Sequence, residues 1–526
     1  MATFAKMLAR LIRTDSAILV IGAAAIWLAI IAGVRPLMLP DEGRYVGVAW
    51  EMVTSGNWLV PLLDGMPFFH KPPLFYWISA LGLSLFGATE WAGRLASIFA
   101  GVVSAGALYL FIRRYRNSQV ATVATVVLVT QPMFFAGAQF ANLDMLVAGM
   151  ISLTILSGAD ALFRREQKLP YLAAVLRTFA LAALGVLAKG LIGIVLPGGV
   201  LFFWILWRRS WLSLRVLFSP LGILVFLALG LPWFFWMQHI YPGFFDYFVV
   251  YHHFQRFAQT GFNNQMPIWF YVPVVLLCAL PWSPWVARIF NKAYWTDAEQ
   301  GPIRSLMAIW LLLILVFFSL PSSKLVGYIL PVLPPFAYFV AEPFAAWLER
   351  DRKRAQGWYA GTLAVAMAIC IALVAGLTLK DKASAKPLAA SIRPAFTADD
   401  QIVMVDGYQY DLPFYLRSTK PSWVISNWLD PEIPKRDDWR KELFDAGKFD
   451  PATAQAVLLT PAKFTEKLCQ HQSGSLWLWS KSGGTAALSW LKELPTVGKS
   501  TKHSLWQLTP EVIRKLPVCA EKPTGG

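Results

Sequence analysis

Two short runs put an acid or a cation where it could act on a phosphate-linked substrate. The first is PDEGRY at 40–45. Asp41 opens a helix-like stretch, DEGRYVGVAWEMVTSG, and Arg44 follows by three residues, so the two share a helix face. An acidic helix start with an i,i+3 ion pair is one reading, since carboxylates suit that end of the dipole. The other makes Asp41 a base or acceptor-orienting carboxylate beside an arginine that holds phosphate, with Glu42 lining the cavity. The second run is HKPP at 70–73. Pro72 and Pro73 fix an extended backbone, so Lys71 is aimed rather than free. Such a lysine can snorkel at a lipid boundary or neutralise a phosphate leaving group through charge-assisted contacts.

Three further places carry ionisable groups. YHHFQRF at 251–257 brings His252, His253 and Arg256 together in sequence. The two imidazoles could join His70 around a divalent ion, Zn or Mg/Mn, although i,i+1 spacing alone does not define a metal site. PSSKLVGYILP at 321–331 sets Lys324 and Tyr328 one helical turn apart, as a Lys/Tyr interfacial belt or as part of a cavity. Asp144 follows a short turn and precedes an apolar run. Ionisable groups at the edge of a hydrocarbon layer are costly unless paired, which makes the set a functional hypothesis.

What must position these residues is a membrane-embedded helical scaffold. Of 526 residues 56% are hydrophobic and only 15% charged, against about 25% charged in soluble domains. A span needs about 20 apolar residues, and candidates lie at 16–34, 95–112, 119–137, 145–163, 171–188, 191–207, 216–237, 268–286, 305–320, 325–347 and 357–379. The net charge of +16 sits in short basic clusters between these runs, which is the positive-inside pattern and excludes nucleic-acid binding as its meaning. Lys6, Arg10 and Arg13 precede the first run as a signal anchor with a cytoplasmic N-terminus. Keeping every basic cluster inside requires that 74–88 be an interfacial or re-entrant helix, and it gives eleven crossings, or up to thirteen. The chemistry-bearing residues then gather outside, in a long first loop at about 35–94 and in the later turns.

From about Lys380 the composition changes. QIVMV (401–405), AVLLT (456–460) and SLWLW (475–479) alternate with polar stretches, as in a soluble α/β domain. The expected domains are therefore 1–380, helical and catalytic, and 381–526, α/β and periplasmic. Cys469 and Cys519 fall in that tail, either as a disulfide or as two free thiols. No phosphate-cradling glycine loop occurs, which argues against a nucleotide cofactor or a nucleotide-sugar donor.

PDEGRY, HKPPLFYW, EWAGRL, NLD (142–144), LAKGLIG (187–193), HHFQRF and SSKLVGYILP occur in one order. In that order the chain, over about 15–345, resembles the bacterial aminoarabinose transferases, of the protein O-mannosyltransferase-like GT-C glycosyltransferases. The resemblance implies a polyprenyl-phosphate sugar donor used at the periplasmic face of the inner membrane, with lipid A or a related glycolipid phosphate as acceptor. It implies that Asp41 and Asp144 are active-site carboxylates and that Arg44 and Lys71 grip the donor phosphate. Tyr45, His253, Arg256 and Tyr328 would line the cavity, and a metal would sit near the histidine loop. Where the family usually has Glu before the Lys of its KPP motif, this chain has His70. The expected reaction is an inverting transfer. A protein hydroxyl as acceptor is the enzymatic alternative. A transporter or flippase of the lipid-linked sugar is the non-enzymatic one, disfavoured by charges gathered at one surface and by the lack of a repeat.

Overall fold

The computed structural model describes residues 15–255, 264–380, 383–481, 486–499 and 502–520. Lys6, Arg10 and Arg13 lie outside them. The chain divides into two compact units. The first takes residues up to Arg35, His70–Phe75 and Arg94–Leu379; the second takes Pro36–Phe69, Tyr76–Gly93 and the tail from Lys380. Most of the first loop thus groups with the tail, and His70–Phe75 with the helices.

The first unit is helical. Among the described residues seven helices are long and apolar enough to cross a bilayer, and up to nine if each of two bent pairs is one span. The pairs are Ser118–Thr130 with Pro132–Ala138, bent by 68°, and Tyr271–Cys278 with Ser283–Phe290, bent by 117°. Segment 268–286, expected as one crossing, is therefore a broken element. Pro132 explains the first break, because it cannot donate back into the preceding turn. The runs at 16–34 and 191–207 form the shorter apolar helices Ala17–Ala29 and Ile192–Trp207, so each expected crossing falls on a helix or a bent pair. At one end of the bundle Asp160 accepts from Arg164 Nε at 3.0 Å, Arg177 Nη2 at 2.9 Å and Tyr115 Oη at 2.6 Å. That network gives a carboxylate in an apolar helix the partners it needs.

In the second unit a six-stranded sheet runs β5 (Leu458–Leu459), β4 (Trp423–Ile425), β3 (Gln401–Val405), β6 (Leu476–Lys481), β8 (His503–Leu508), β7 (Gly498–Lys499). The first four strands are parallel, and β8 and β7 add antiparallel. β3 is buried along its whole length, as the unbroken apolar run QIVMV requires of a central parallel strand. Helix Pro461–Cys469 and the C-terminal helices cover one face, where Phe464, Leu468 and Ile513 cluster with Trp506 of β8. Cys469 and Cys519 are joined as a disulfide, Cα–Cα 5.3 Å.

The first-loop part of this unit is helix Asp41–Ser55, the hairpin of β1 (Leu62–Leu63) and β2 (Met66–Pro67), and most of helix Leu74–Phe86. Asp64 and Gly65 both have positive φ, 55° and 78°, the backbone of a two-residue Asp-Gly hairpin turn. Glu51 accepts from the amides of Asp64 at 2.6 Å and Gly65 at 2.8 Å, and Asp64 Oδ1 accepts from Ser422 N at 2.8 Å. A chain of carboxylates thereby pins helix to hairpin and hairpin to the start of β4. Burial pushes the Glu51 carboxyl up to about 7. Burial, then the neighbouring Glu51, pushes Asp64 well above the usual carboxylate range. The folded unit therefore holds protons that the unfolded chain has released, and its stability falls as pH rises from the ordinary carboxylate range through about 7. Between about pH 5 and about pH 8 the wild-type chain is expected to lose thermal stability relative to Glu51→Gln. Melting curves of the two detergent-purified proteins measure this, and parallel pH profiles would contradict it.

Candidate active site

The helix that carries PDEGRY begins at Asp41 with two acids in its first turn, and Glu42 reaches back to accept from Met38 N at 2.8 Å. Glu42 is fully buried, and this contact ties it to the turn that leads into the helix. Arg44 forms ion pairs with Asp41 and with Glu442, which lies on helix Trp439–Gly447 of the tail. Its guanidinium lies 5.1 Å from the Tyr45 ring and 5.9 Å from that of Tyr410. Glu442 also accepts from Tyr410 Oη at 2.6 Å. Burial pushes the Glu442 carboxyl up, and Arg44 pulls it back down. Tyr410 rises well above its usual range, first through burial and then through Glu442.

Gly43 explains why segment 410–411 can approach. A Cβ there would lie 3.0 Å from Tyr410 Cβ and 3.2 Å from Asp411 N, and closer still to Leu39. The glycine inside DEGRY is thus a packing requirement that brings the tail's tyrosine onto the helix bearing Arg44.

The helical unit holds a second acid–cation cluster. Asn142 caps helix Leu143–Glu166, accepting from Asp144 N at 2.9 Å, and Asp144 stands in the first turn. Lys189 ends helix Leu172–Lys189, and Gly190 follows at φ +84°. An acid at a helix start and a lysine at a helix end both suit the local dipoles. The two side chains form an ion pair, 12% and 14% exposed. Lys189 Nζ also lies 4.5 Å from the Tyr328 ring centre, a cation–π distance. Gly327 makes room for this pair, because a Cβ there would sit 2.3 Å from Asp144 Oδ2.

The remaining expected residues sort as follows. Lys324 is buried and donates to the carbonyls of Met266, at 3.0 Å, and Pro321, contacts that clamp a loop. Tyr328 is half-buried between Phe318, ring centres 5.5 Å apart, and Lys189. His70 and Lys71 are half-buried, with the His70 ring 5.9 Å from Tyr247. The side chains of His252 and His253, and the whole of Arg256, lie outside the described residues. Among the described residues no three His, Cys, Asp or Glu side chains converge as metal ligands. The set of His70, His252 and His253 falls mostly outside the described residues, and no step of the proposed reaction runs through a metal.

Sequence reasoning missed Glu442, Tyr410, Lys189 and Gly327 as parts of these clusters. Lys189 had a signal, an ionisable residue at the end of an apolar helix inside LAKGLIG. Glu442 had none, since DDWRKELF reads as an ordinary solvated helix.

Residues 70–236 match the family described as dolichyl-phosphate-mannose-protein mannosyltransferase. The chain is 31% identical to the undecaprenyl phosphate-alpha-4-amino-4-deoxy-L-arabinose arabinosyl transferase of Aeromonas hydrophila, covering 65% of this chain and 62% of the relative. It is 29% identical to the protein of the same name from Pseudomonas paraeruginosa, over 81% and 77% of the two chains. Against the Aeromonas relative the chain thus spans under two thirds of the relative's length. The crystal structure of ArnT from Cupriavidus metallidurans bound to undecaprenyl phosphate superposes with a TM-score of 0.78 at 23% identity, over 94% of this chain and 98% of that one. At that identity the superposition shows a shared fold, a polytopic helical membrane scaffold with an α/β domain.

Proposed function

From a chain that is aminoarabinose-transferase-like in sequence and GT-C in fold, we propose an inner-membrane glycosyltransferase. It moves a sugar from a polyprenyl-phosphate donor to lipid A or a related glycolipid phosphate at the periplasmic face. The observation that carries this reading is the 31% identity to curated arabinosyl transferases along 65% of the chain. The Cys469–Cys519 disulfide supports a tail in an oxidising compartment, hence a periplasmic C-terminal domain and a cytoplasmic N-terminus.

In the proposed inverting reaction an acceptor oxygen attacks the anomeric carbon. The bond from that carbon to the donor phosphate oxygen breaks, and the electron pair leaves with polyprenyl phosphate. Arg44 and Lys71 meet the charge that develops on the departing phosphate, with Arg256 as a further phosphate contact. Asp41 orients the acceptor, or takes its proton when the acceptor is a hydroxyl. Asp144, paired with Lys189, is the second active-site carboxylate of the proposal. Tyr45 and Tyr328 line the cavity. A divalent metal on His70, His252 and His253 is a separate proposal, from the three imidazoles and the resemblance together, tested by elemental analysis of the purified protein.

The match of residues 70–236 to protein mannosyltransferases favours a second reading, transfer to Ser or Thr of a periplasmic protein. Lipid A mass spectrometry on matched strains with and without this chain separates the two. Loss of a pentose- or hexose-sized mass on deletion is the expected result. Unchanged lipid A, with sugar lost from periplasmic glycoproteins, would replace the first reading by the second.

A further inference from the structure

We propose that Glu442 is the counter-ion that the donor phosphate displaces from Arg44, so that a tail helix and the lipid-linked phosphate compete for one guanidinium. This rests on the reading of Arg44 as a phosphate-binding residue. The charge count drives it. Arg44 carries one positive charge and is paired with two carboxylates, Asp41 and Glu442. The trio as it stands offers no net attraction to an anion, so one carboxylate must give way before a phosphate can take the fork.

Three features point to Glu442 as the one that leaves. Asp41 sits three residues before Arg44 on the same helix and is 41% exposed, so it stays near the guanidinium, screened by solvent, whatever the tail does. Glu442 comes from a separate segment and is 12% exposed, so its contact is the one that closes Arg44 off. It also has somewhere to go, because Tyr410 Oη already holds its second oxygen at 2.6 Å. Meanwhile the Tyr45 and Tyr410 rings lie 5.1 and 5.9 Å from the guanidinium and keep it in place while its partner changes. Glu442 would then be a positioning residue. It keeps a buried arginine compensated while the site is empty and gives it up to the donor, which ties the tail helix Trp439–Gly447 to donor occupancy.

The test is binding of undecaprenyl phosphate to the full-length protein in detergent, followed by tryptophan fluorescence. Glu442→Gln keeps the shape and an acceptor for Tyr410 but removes the competing charge. It is expected to bind roughly fivefold more tightly than wild type, the scale of losing one competing charged contact. In an Arg44→Ala background, itself weaker-binding, the same substitution should change nothing, which separates contact from general field. Glu442→Asp keeps the charge but draws it back by one methylene. It should also bind more tightly, and it carries the test should the glutamine variant not fold. Unchanged or weaker binding by Glu442→Gln, with Arg44→Ala still impaired, overturns the exchange and leaves the role of Arg44 intact. Wild-type affinity in Arg44→Ala overturns that role, and the exchange with it.

Discussion

Lys71→Ala is expected to slow sugar transfer by about 10²–10³-fold with every acceptor tested, the usual cost of deleting one donor aimed at transition-state charge. Lys71 sits directly before Pro72 and Pro73, which restrict its backbone to an extended path. Its side chain is half-buried, where an ammonium acts more strongly than in bulk water. In the proposed reaction the donor phosphate gains negative charge as the anomeric bond breaks, so the lysine favours the transition state over the bound donor. The loss should therefore fall mainly on kcat, with little change in KM for the donor. Asp41→Asn should behave differently. With a hydroxyl acceptor the missing base costs about 10²–10⁴-fold. A phosphate monoester acceptor already carries a nucleophilic oxygen, and the loss should be small. Donor consumption by purified protein with each acceptor decides both points. Wild-type turnover by Lys71→Ala would remove that residue from the chemistry.

Much of the scaffold is legible because lipid imposes a simple rule. A run of about 20 apolar residues has few alternatives to a spanning helix, and each candidate run falls on a helix or a bent pair. Segment 74–88 forms helix Leu74–Phe86, 13 residues, the same length as Ala17–Ala29, so helix length alone does not separate an interfacial helix from a crossing. The bends are less legible. Pro132 marks the first bend, and Pro281 and Pro284 mark the 117° turn after Cys278, but a proline signals a break without giving its angle.

In the tail, QIVMV and SLWLW become the paired central strands β3 and β6. AVLLT contributes only the two residues of β5, because helix Pro451–Val457 runs to its second residue. Short apolar runs of this kind do not distinguish a strand from the end of a helix. Of the candidate site, the residue types were legible and the partners were not. Asp41 with Arg44 is local, three residues apart, and was read as a possible pair; Glu442 is nearly four hundred positions away, and only the fold selects it. The packing of the first loop against the tail was hidden for the same reason. It rests on Glu51, Asp64, Gly43 and Gly65, each unremarkable until its partner is known.

The Asp144–Lys189 pair offers the clearest separation of folding from chemistry. Both side chains are nearly buried, 12% and 14% exposed, at the ends of long apolar helices. Asp144→Ala is expected to destabilise the protein by about 3–5 kcal/mol, because it leaves a buried ammonium without its counter-charge. Tyr328, 4.5 Å from Lys189 Nζ, offsets only part of that, since a cation–π contact contributes about 0.5–2 kcal/mol. Replacing both partners with apolar residues of similar size, Asp144→Leu with Lys189→Met, removes the uncompensated charge and should recover most of the stability. Gly327→Ala keeps both charges but drives a methyl group into the Asp144 carboxylate, so it should impair activity more than stability. Melting temperature and transfer rate, measured on the same preparations, then give a two-way answer. A double variant that melts near wild type but transfers no sugar places Asp144 in the reaction. One that both folds and transfers would make the pair a structural clasp between two helix ends, leaving Asp41 as the working carboxylate.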